Sequence, residues 1–389
     1  MKRVFILICC FMVFISIPAL GYCENRSGNN SEQDYGALVD NVYEKGQLYK
    51  LDLYTNDNNF YELFNYGNIK DFISDVVSGN YSFDYNDFIN TLKDLFFMTL
   101  RESISILLTF IALSIFLSLI NLLNTSFMNK EISDVAFFGI YFVLVALIVK
   151  TFFNIVSVAY SLIKAITGFM NVLLPIIIIL MNLSGNIFSG NIISISLVFI
   201  INFFASAMTY FVIPTLSFGF ILSIMDNLLI DINISYLVSF IKQGVLFVMG
   251  LFSVLFVGIL SIQGSLFASL DSLSIKTAKF AVSKLVPVLG SLISDSADTV
   301  IGFVKVIKNS VGLIGVLILI SLLLIPFMHM LCSIVTLKVS AFLSEPLTDP
   351  RVSKALNDAS TFLSLIFACF LVVAVLFIML IGIIAMLGG

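Results

Sequence analysis

Residues 165–225 read AITGFMNVLLPIIIILMNLSGNIFSGNIISISLVFIINFFASAMTYFVIPTLSFGFILSIM, with no Asp, Glu, Lys or Arg over 61 consecutive positions. The hydrocarbon of a bilayer has no water to solvate a charge, so long uncharged apolar runs predict membrane spans of about 20 residues each. Further charge-free runs lie at 103–129, 243–270, 309–337 and 359–389. The pattern predicts an all-α polytopic membrane bundle of about 7–8 transmembrane helices.

The composition of the whole chain agrees with that prediction. Of its 389 residues, 59% are hydrophobic and 11% are charged, whereas a soluble domain carries roughly 25% charged residues. So little polar surface cannot cover a water-soluble particle of this size, which argues against a soluble enzyme, a disordered protein and a nucleic-acid binder.

The hydropathy pattern places the individual spans. The predicted segments are 104–123, 135–155, 165–183, 192–213, 216–234, 244–265, 311–335 and 361–387. Lys150 interrupts the second, and the fifth carries Asp226 and Asp231, which makes it the weakest span. Asp226 is expected to face the bundle interior or an interface, because a carboxylate exposed to lipid is costly.

The first 100 residues differ from the rest. Lys2 and Arg3 precede a short apolar run that ends near Ala19 and Gly21, which predicts a signal peptide over 1–21, with an uncleaved anchor as the alternative. Residues 22–100 hold 13 acidic and 5 basic groups, a net charge of −8. We expect this acidic segment to be extracytoplasmic and to end in an amphipathic helix at 88–100, followed by the membrane domain 101–389.

Residues 271–308 are apolar but repeatedly interrupted by charge, and Pro287 and Gly290 predict a helix break in their middle. At ~100° per residue, the polar residues after the break fall within an arc of about 80°. Two amphipathic half-helices around a proline predict a broken or re-entrant pair, with a surface-lying helix as the alternative. With Asp226, these residues form the predicted channel-lining or partner-docking set: Lys276, Lys279, Asp295, Asp298, Lys305 and Asn309.

The positive-inside rule constrains the topology. A secreted N-terminus puts Lys130 in the cytoplasm, where the cluster Lys338, Arg351 and Lys354 is also expected. Satisfying both requires that 271–308 not count as a full pair of spans. Separately, Pro175 and Pro287 are 112 residues apart, as are Pro214 and Pro326, which suggests tandem repeats at 104–214 and 216–326.

Catalytic motifs are absent from the sequence. The single histidine, His329, excludes an HExxH zinc site, and the five cysteines show no metal-ligand spacing. We therefore expect neither enzymatic activity nor a cofactor or metal. His329 can relay protons or pack as a hydrogen-bonded side chain. Small residues such as Ser114 and Ser118 suit either packing within the chain or self-association into a homo-oligomer.

Two motifs resemble the stage III sporulation protein AE family. One is FINTLKDLFFMTLRES at residues 88–103; the other is SIKTAKFAVSKLVPVLGSLISDSADTV at 274–300, continuing to KNSVG at 308–312. The resemblance covers about residues 80–389, and charged and proline positions like those of the second motif are rare in membrane proteins.

The resemblance implies a component of the sporulation channel complex of endospore-forming bacteria, located in the mother-cell membrane around the forespore. Its implied partners are other stage III sporulation A membrane proteins and, through them, a forespore membrane partner; the bilayer is the other contact, and nucleic acid is not expected. Two functions follow: a scaffold or channel subunit of a secretion-like assembly, or a self-sufficient permease for a small solute. The permease would bind its substrate through charged residues such as Asp226.

Overall fold

The computed structural model describes residues 48–55, 64, 68–78, 85–126, 130–184, 187–228, 234–285 and 290–386; the side chains of 263–301 are not among those described. Every regular element in these ranges is helical, which confirms the all-α prediction. A 3₁₀ turn at Leu48–Leu51 leads into α1. The helices are α1 Asp52–Thr55, α2 Ile69–Ser78, α3 Tyr85–Ser126, α4 Lys130–Leu183, α5 Ile187–Ala207, α6 Ile213–Leu228, α7 Ser235–Leu285, α8 Gly290–Ser344 and α9 Pro350–Met386.

Helix starts follow from local capping chemistry. At α2, the side chain of Asn68 accepts the backbone N–H of Asp71 (2.8 Å) and donates to the Asp71 carboxylate (2.8 Å). At α9, the Asp349 carboxylate accepts the backbone N–H of Arg351 (2.9 Å), and Pro350 occupies the first helical position. Both arrangements satisfy backbone donors that a helix leaves unpaired at its start, and proline loses nothing there because its missing N–H is not needed.

Among the residues that the structure describes, six helical stretches are long and apolar enough to cross a membrane, fewer than the eight predicted segments. They are Phe88–Ile120, Val135–Leu183, Ser196–Leu228, Ser235–Ile262, Val304–Ser344 and Pro350–Ile384. The predicted spans 135–155 and 165–183 lie on the single helix α4, because Lys150 and Lys164 interrupt the hydropathy without interrupting the helix. Lysine is a good helix former, so a drop in hydropathy does not mark a helix end.

The predicted spans 192–213 and 216–234 are likewise joined, by a turn of π-helix at Met208–Val212 between α5 and α6. The backbone N–H of Ile213 donates to the carbonyl of Met208, one residue farther back than in an α-helix. Pro214 follows at once, and a proline ring clashes with the carbonyl four residues before it. The wider turn accommodates that ring, so the chain continues in the same direction.

The core of the bundle is apolar and rich in phenylalanine. Phe152 of α4 stacks on Phe220 of α6 with ring centroids 3.8 Å apart, and Phe220 meets the edge of Phe362 of α9 at 6.2 Å. Near the other end of α4, Gly168 lies against the hydroxyl of Tyr54, whose ring meets Phe169 edge-on at 5.4 Å. The segment 48–55 therefore packs against α4, and burial raises the pKa of the Tyr54 phenol.

Two glycines lie at tight contacts between helices. A Cβ on Gly219 of α6 would lie 2.8 Å from Cε1 of Phe362 and 2.9 Å from Cγ2 of Ile241. A Cβ on Gly315 of α8 would lie 2.6 Å from Cδ2 of Leu173. Small residues let helix backbones approach closely. The close approach increases the van der Waals contact that helps to hold helices together in lipid.

We expect Gly219→Ala to lower the thermal stability of the detergent-purified protein. The added methyl group overpacks the Phe362 ring, at a cost of about 1–3 kcal/mol. Gly258→Ala is the matched control, because nothing lies within 4 Å of its Cβ position, and replacing an interior helical glycine by alanine stabilises by about 0.5–1 kcal/mol. Thermal unfolding followed by intrinsic tyrosine fluorescence checks both, and equal unfolding temperatures for the two variants would contradict the packing argument.

Candidate functional site

The carboxylate of Asp226, near the end of α6, is held by three groups. Its Oδ1 accepts the backbone N–H of Ile234 (2.9 Å), and its Oδ2 accepts the hydroxyl of Ser235 (2.8 Å) and forms an ion pair with Lys354 of α9 (3.1 Å). The Asp226 side chain is 8% exposed, whereas that of Lys354 is 54% exposed. Asp226 therefore closes the connection between α6 and α7 and ties it to the first turn of α9.

A second carboxylate, Asp358, lies one helical turn farther along α9. Its Oδ2 accepts the hydroxyl of Ser223 (2.7 Å) and the side-chain amide of Asn227 (3.3 Å), both on α6. Its Oδ1 lies 3.7 Å from the ammonium of Lys242 on α7. The Lys242 ammonium also lies 4.6 Å from the ring centroid of Phe362, a cation–π contact.

Together these groups form a polar latch of two carboxylates and two ammonium groups: Asp226, Asp358, Lys242 and Lys354. The latch joins α6, α7 and α9 at one end of the bundle. Its charges balance, and each carboxylate accepts hydrogen bonds besides its ion pair, which is the condition for placing charge beside apolar helices without a large desolvation penalty. Its chemistry is that of a structural lock.

The structure places the predicted charged set as follows. Lys276 and Lys279 lie on α7 and Asp295 and Asp298 on α8, but their side chains fall outside the described residues. Residues 271–285 form the end of α7 and residues 290–308 form the start of α8, and each part is continuous with a long apolar helix. α7 is described as far as Leu285 and α8 from Gly290, while Pro287 lies in 286–289, outside the described residues, so the helix break stays a prediction.

Of the same set, Lys305 and Asn309 are partly buried. The Oδ1 atom of Asn309 is buried and has no hydrogen-bond partner among the described residues. Asp226 belongs to the latch and is far in the chain from the other members. A channel-lining or docking role for the set stays a prediction.

Other polar residues named in the sequence have defined surroundings. The Ser114 hydroxyl is buried and lies 2.7 Å from that of Ser344, so this small residue packs α3 against α8 within the chain. The Nδ1 atom of His329 is buried without a hydrogen-bond partner in the described part of the chain. Asn171 of α4 and Asn202 of α5 exchange two amide hydrogen bonds of 3.1 and 2.9 Å, a polar contact of the kind that joins helices in lipid.

Sequence reasoning missed Asp358, Lys242, Ser223 and Asn227. The missed signal lies in the spacing: Ser223, Asp226 and Asn227 share one face of α6, and Lys354 and Asp358 are four residues apart on α9. The polar residues of each helix can be recognised in the sequence. Nothing in the sequence of either helix indicates that the two polar faces contact each other.

Comparison with known proteins gives a consistent result. The profile of the stage III sporulation protein AE family matches residues 67–388. Stage III sporulation protein AE of Bacillus subtilis (strain 168) is 28% identical over 317 residues, which cover 82% of this chain and 79% of that protein. No solved structure matches the chain.

The latch geometry predicts that removing Asp226 and removing its partner Lys354 have unequal effects on stability. Asp226→Ala strands the Ile234 N–H and the Ser235 hydroxyl, and we expect it to destabilise the protein by about 1–3 kcal/mol. Lys354→Ala removes an exposed partner and leaves those hydrogen bonds intact, so we expect a loss of about 0–1 kcal/mol. Thermal unfolding of the purified variants checks the order. An equal loss for both, or a larger loss for Lys354→Ala, would show that the ion pair rather than the hydrogen bonds dominates.

Proposed function

The chain belongs to the stage III sporulation protein AE family, and from that premise we propose that it acts as a scaffold or channel subunit of a multiprotein, secretion-like membrane complex during sporulation. In this role it performs no catalysis. The six candidate spans of its described part provide a rigid membrane body, and its polar surfaces contact other subunits.

The observation that carries this proposal is the latch. A self-sufficient permease needs charged groups that exchange between substrate and protein, and Asp226 is one of the residues nominated for that task. Its carboxylate is instead held by Ile234, Ser235 and Lys354, and Asp358 is held by Ser223, Asn227 and Lys242. Charges that lock helices to one another suit a scaffold better than a moving transporter.

We place the protein in the mother-cell membrane around the forespore, with residues 22–100 outside the cytoplasm. If each of the six candidate spans among the described residues crosses the membrane once, the connections after α3 and α8, at 127–129 and 345–349, lie on the same side. That arrangement supports a cytoplasmic position for Lys130, Lys338 and Arg351 together, as the positive-inside rule requires. Its partners are then other stage III sporulation A membrane proteins and, through them, a forespore membrane protein.

Replacing both Asp295 and Asp298 by leucine is expected to abolish sporulation while leaving membrane insertion intact, because the polar arc of α8 is the predicted contact with a conduit or partner. The control is Ser296→Leu with Ala297→Leu, which places two leucines on the same helix outside that arc. Heat-resistant spore counts and the amount of protein in the membrane fraction are measured. Normal sporulation of the double Asp variant would remove the proposed role of this arc.

Co-purification distinguishes the scaffold from the permease. We expect mild-detergent extracts of sporulating cells to yield the tagged protein with other stage III sporulation A proteins, and its unfolding temperature to stay constant across a panel of ions and small solutes. A ligand that binds only the folded state stabilises it by an amount that grows with the logarithm of the ligand concentration above its Kd. Stabilisation by one solute, together with isolation as a lone protein, would favour the permease.

A further inference from the structure

A row of polar side chains runs along the outer face of α4. We define the α4 stripe as its five members, which recur at spacings of four and three residues and are all exposed: Lys150, Asn154, Ser157, Ser161 and Lys164. At ~100° per residue they fall within an arc of about 80°. The stripe interrupts Val135–Leu183, the longest of the six candidate spans.

The stripe points away from the bundle. The buried residues of the same part of α4 include Phe152, Ile155, Ala159, Leu162 and Ile166. Their arc is centred about 160° from that of the stripe. Amphipathic helices normally turn their polar face to water. The helix segments at the same level show whether this face lies in water or within the membrane.

The neighbouring helix segments indicate a membrane at this level. Phe152 stacks on Phe220, Tyr160 lies edge-on to Tyr210 with centroids 6.5 Å apart, and Cys369 contacts Met208. These contacts place 206–222 of α5 and α6, and part of α9, at the same level along the bundle as the stripe. Residues 206–222 and 360–374 contain no charged side chain. Lysine near the centre of a lipid-facing helix is energetically costly, so the stripe requires contact with something other than lipid tails.

The charges of the stripe indicate what kind of helix could pack against it. It holds two lysines and no carboxylate, and neither lysine forms a salt bridge with a described residue. A second copy of the same face would bring lysines against lysines in either direction of packing. Helices whose carboxylates oppose the lysines gain both the ion pairs and hydrogen bonds to the serine hydroxyls and the asparagine amide between them.

We propose that the α4 stripe is the docking surface for a transmembrane helix of a different protein, one that carries two carboxylates about four turns apart. The separation follows from the 14 residues between Lys150 and Lys164, a rise of about 21 Å. This assignment rests on the proposed function, since it names the chemistry of a partner that a scaffold subunit would hold.

The test uses the full-length protein in nanodiscs and synthetic transmembrane helices of about 24 residues. The probe is a labelled leucine-alanine helix with two Glu residues 14 positions apart; its comparison helices carry Gln or Lys at the same places. We expect energy transfer to report about tenfold tighter association of the Glu helix than of the Gln helix. Lys150→Glu with Lys164→Glu should reverse the preference toward the Lys helix.

Controls separate charge from folding. Lys338→Glu changes an exposed lysine on α8 and should leave the preference for the Glu helix unchanged. If the double Glu variant unfolds, Lys150→Gln with Lys164→Gln should abolish the preference without reversing it. Equal association of the Glu and Gln helices with the wild-type protein overturns the proposal, as does a dimer of this protein that the stripe variants dissociate.

The outcome is independent of the test of the proposed function. Loss of the Glu preference while sporulation proteins still co-purify refutes the stripe alone. A retained Glu preference with no co-purifying sporulation protein, and stabilisation by a solute, refutes the scaffold function instead.

Discussion

The absence of water in a bilayer dictates where this protein places its charge. An ionised side chain beside apolar helices needs a partner, and the desolvation cost is offset only when hydrogen bonds complete the shell of the charge. Asp226 and Asp358 satisfy this condition through backbone, hydroxyl, amide and ammonium groups from α6, α7 and α9. The latch thereby joins elements 128 residues apart in the chain, between Asp226 and Lys354.

Next to the latch, apolar packing rather than ion pairs holds the helices together. Gly219 brings α6 against Phe362 and Ile241, and Phe152, Phe220 and Phe362 form a continuous aromatic contact between α4, α6 and α9. Lys242 takes part in both layers, since its ammonium meets the Asp358 carboxylate and the Phe362 ring. A bundle locked at one end and closely packed beyond it suits a rigid membrane subunit.

The polar groups that the bundle does not use internally are the ones that suit partners. The α4 stripe lies on the side of its helix opposite the core, whereas the latch residues and the pair Asn171 and Asn202 lie between helices. Internal polar contacts thus add to the apolar packing that holds the helices together, and the outward stripe suits a role in an assembly. Family membership and the distribution of polar groups support the same kind of function.

Sequence alone determined the all-α class, the membrane-spanning character and the family, because uncharged runs and local motifs are properties of consecutive residues. It also singled out Asp226, whose side chain is 8% exposed, whereas the helix break that it predicts at Pro287 lies outside the described residues. Tertiary structure decided that eight hydropathy segments form six long stretches, since Lys164 and Pro214 lower local apolarity or helix propensity without ending a helix. It alone paired Asp358 with Lys242 and turned the α4 stripe outward, because helical periodicity shows which residues share a face but not which face another helix covers.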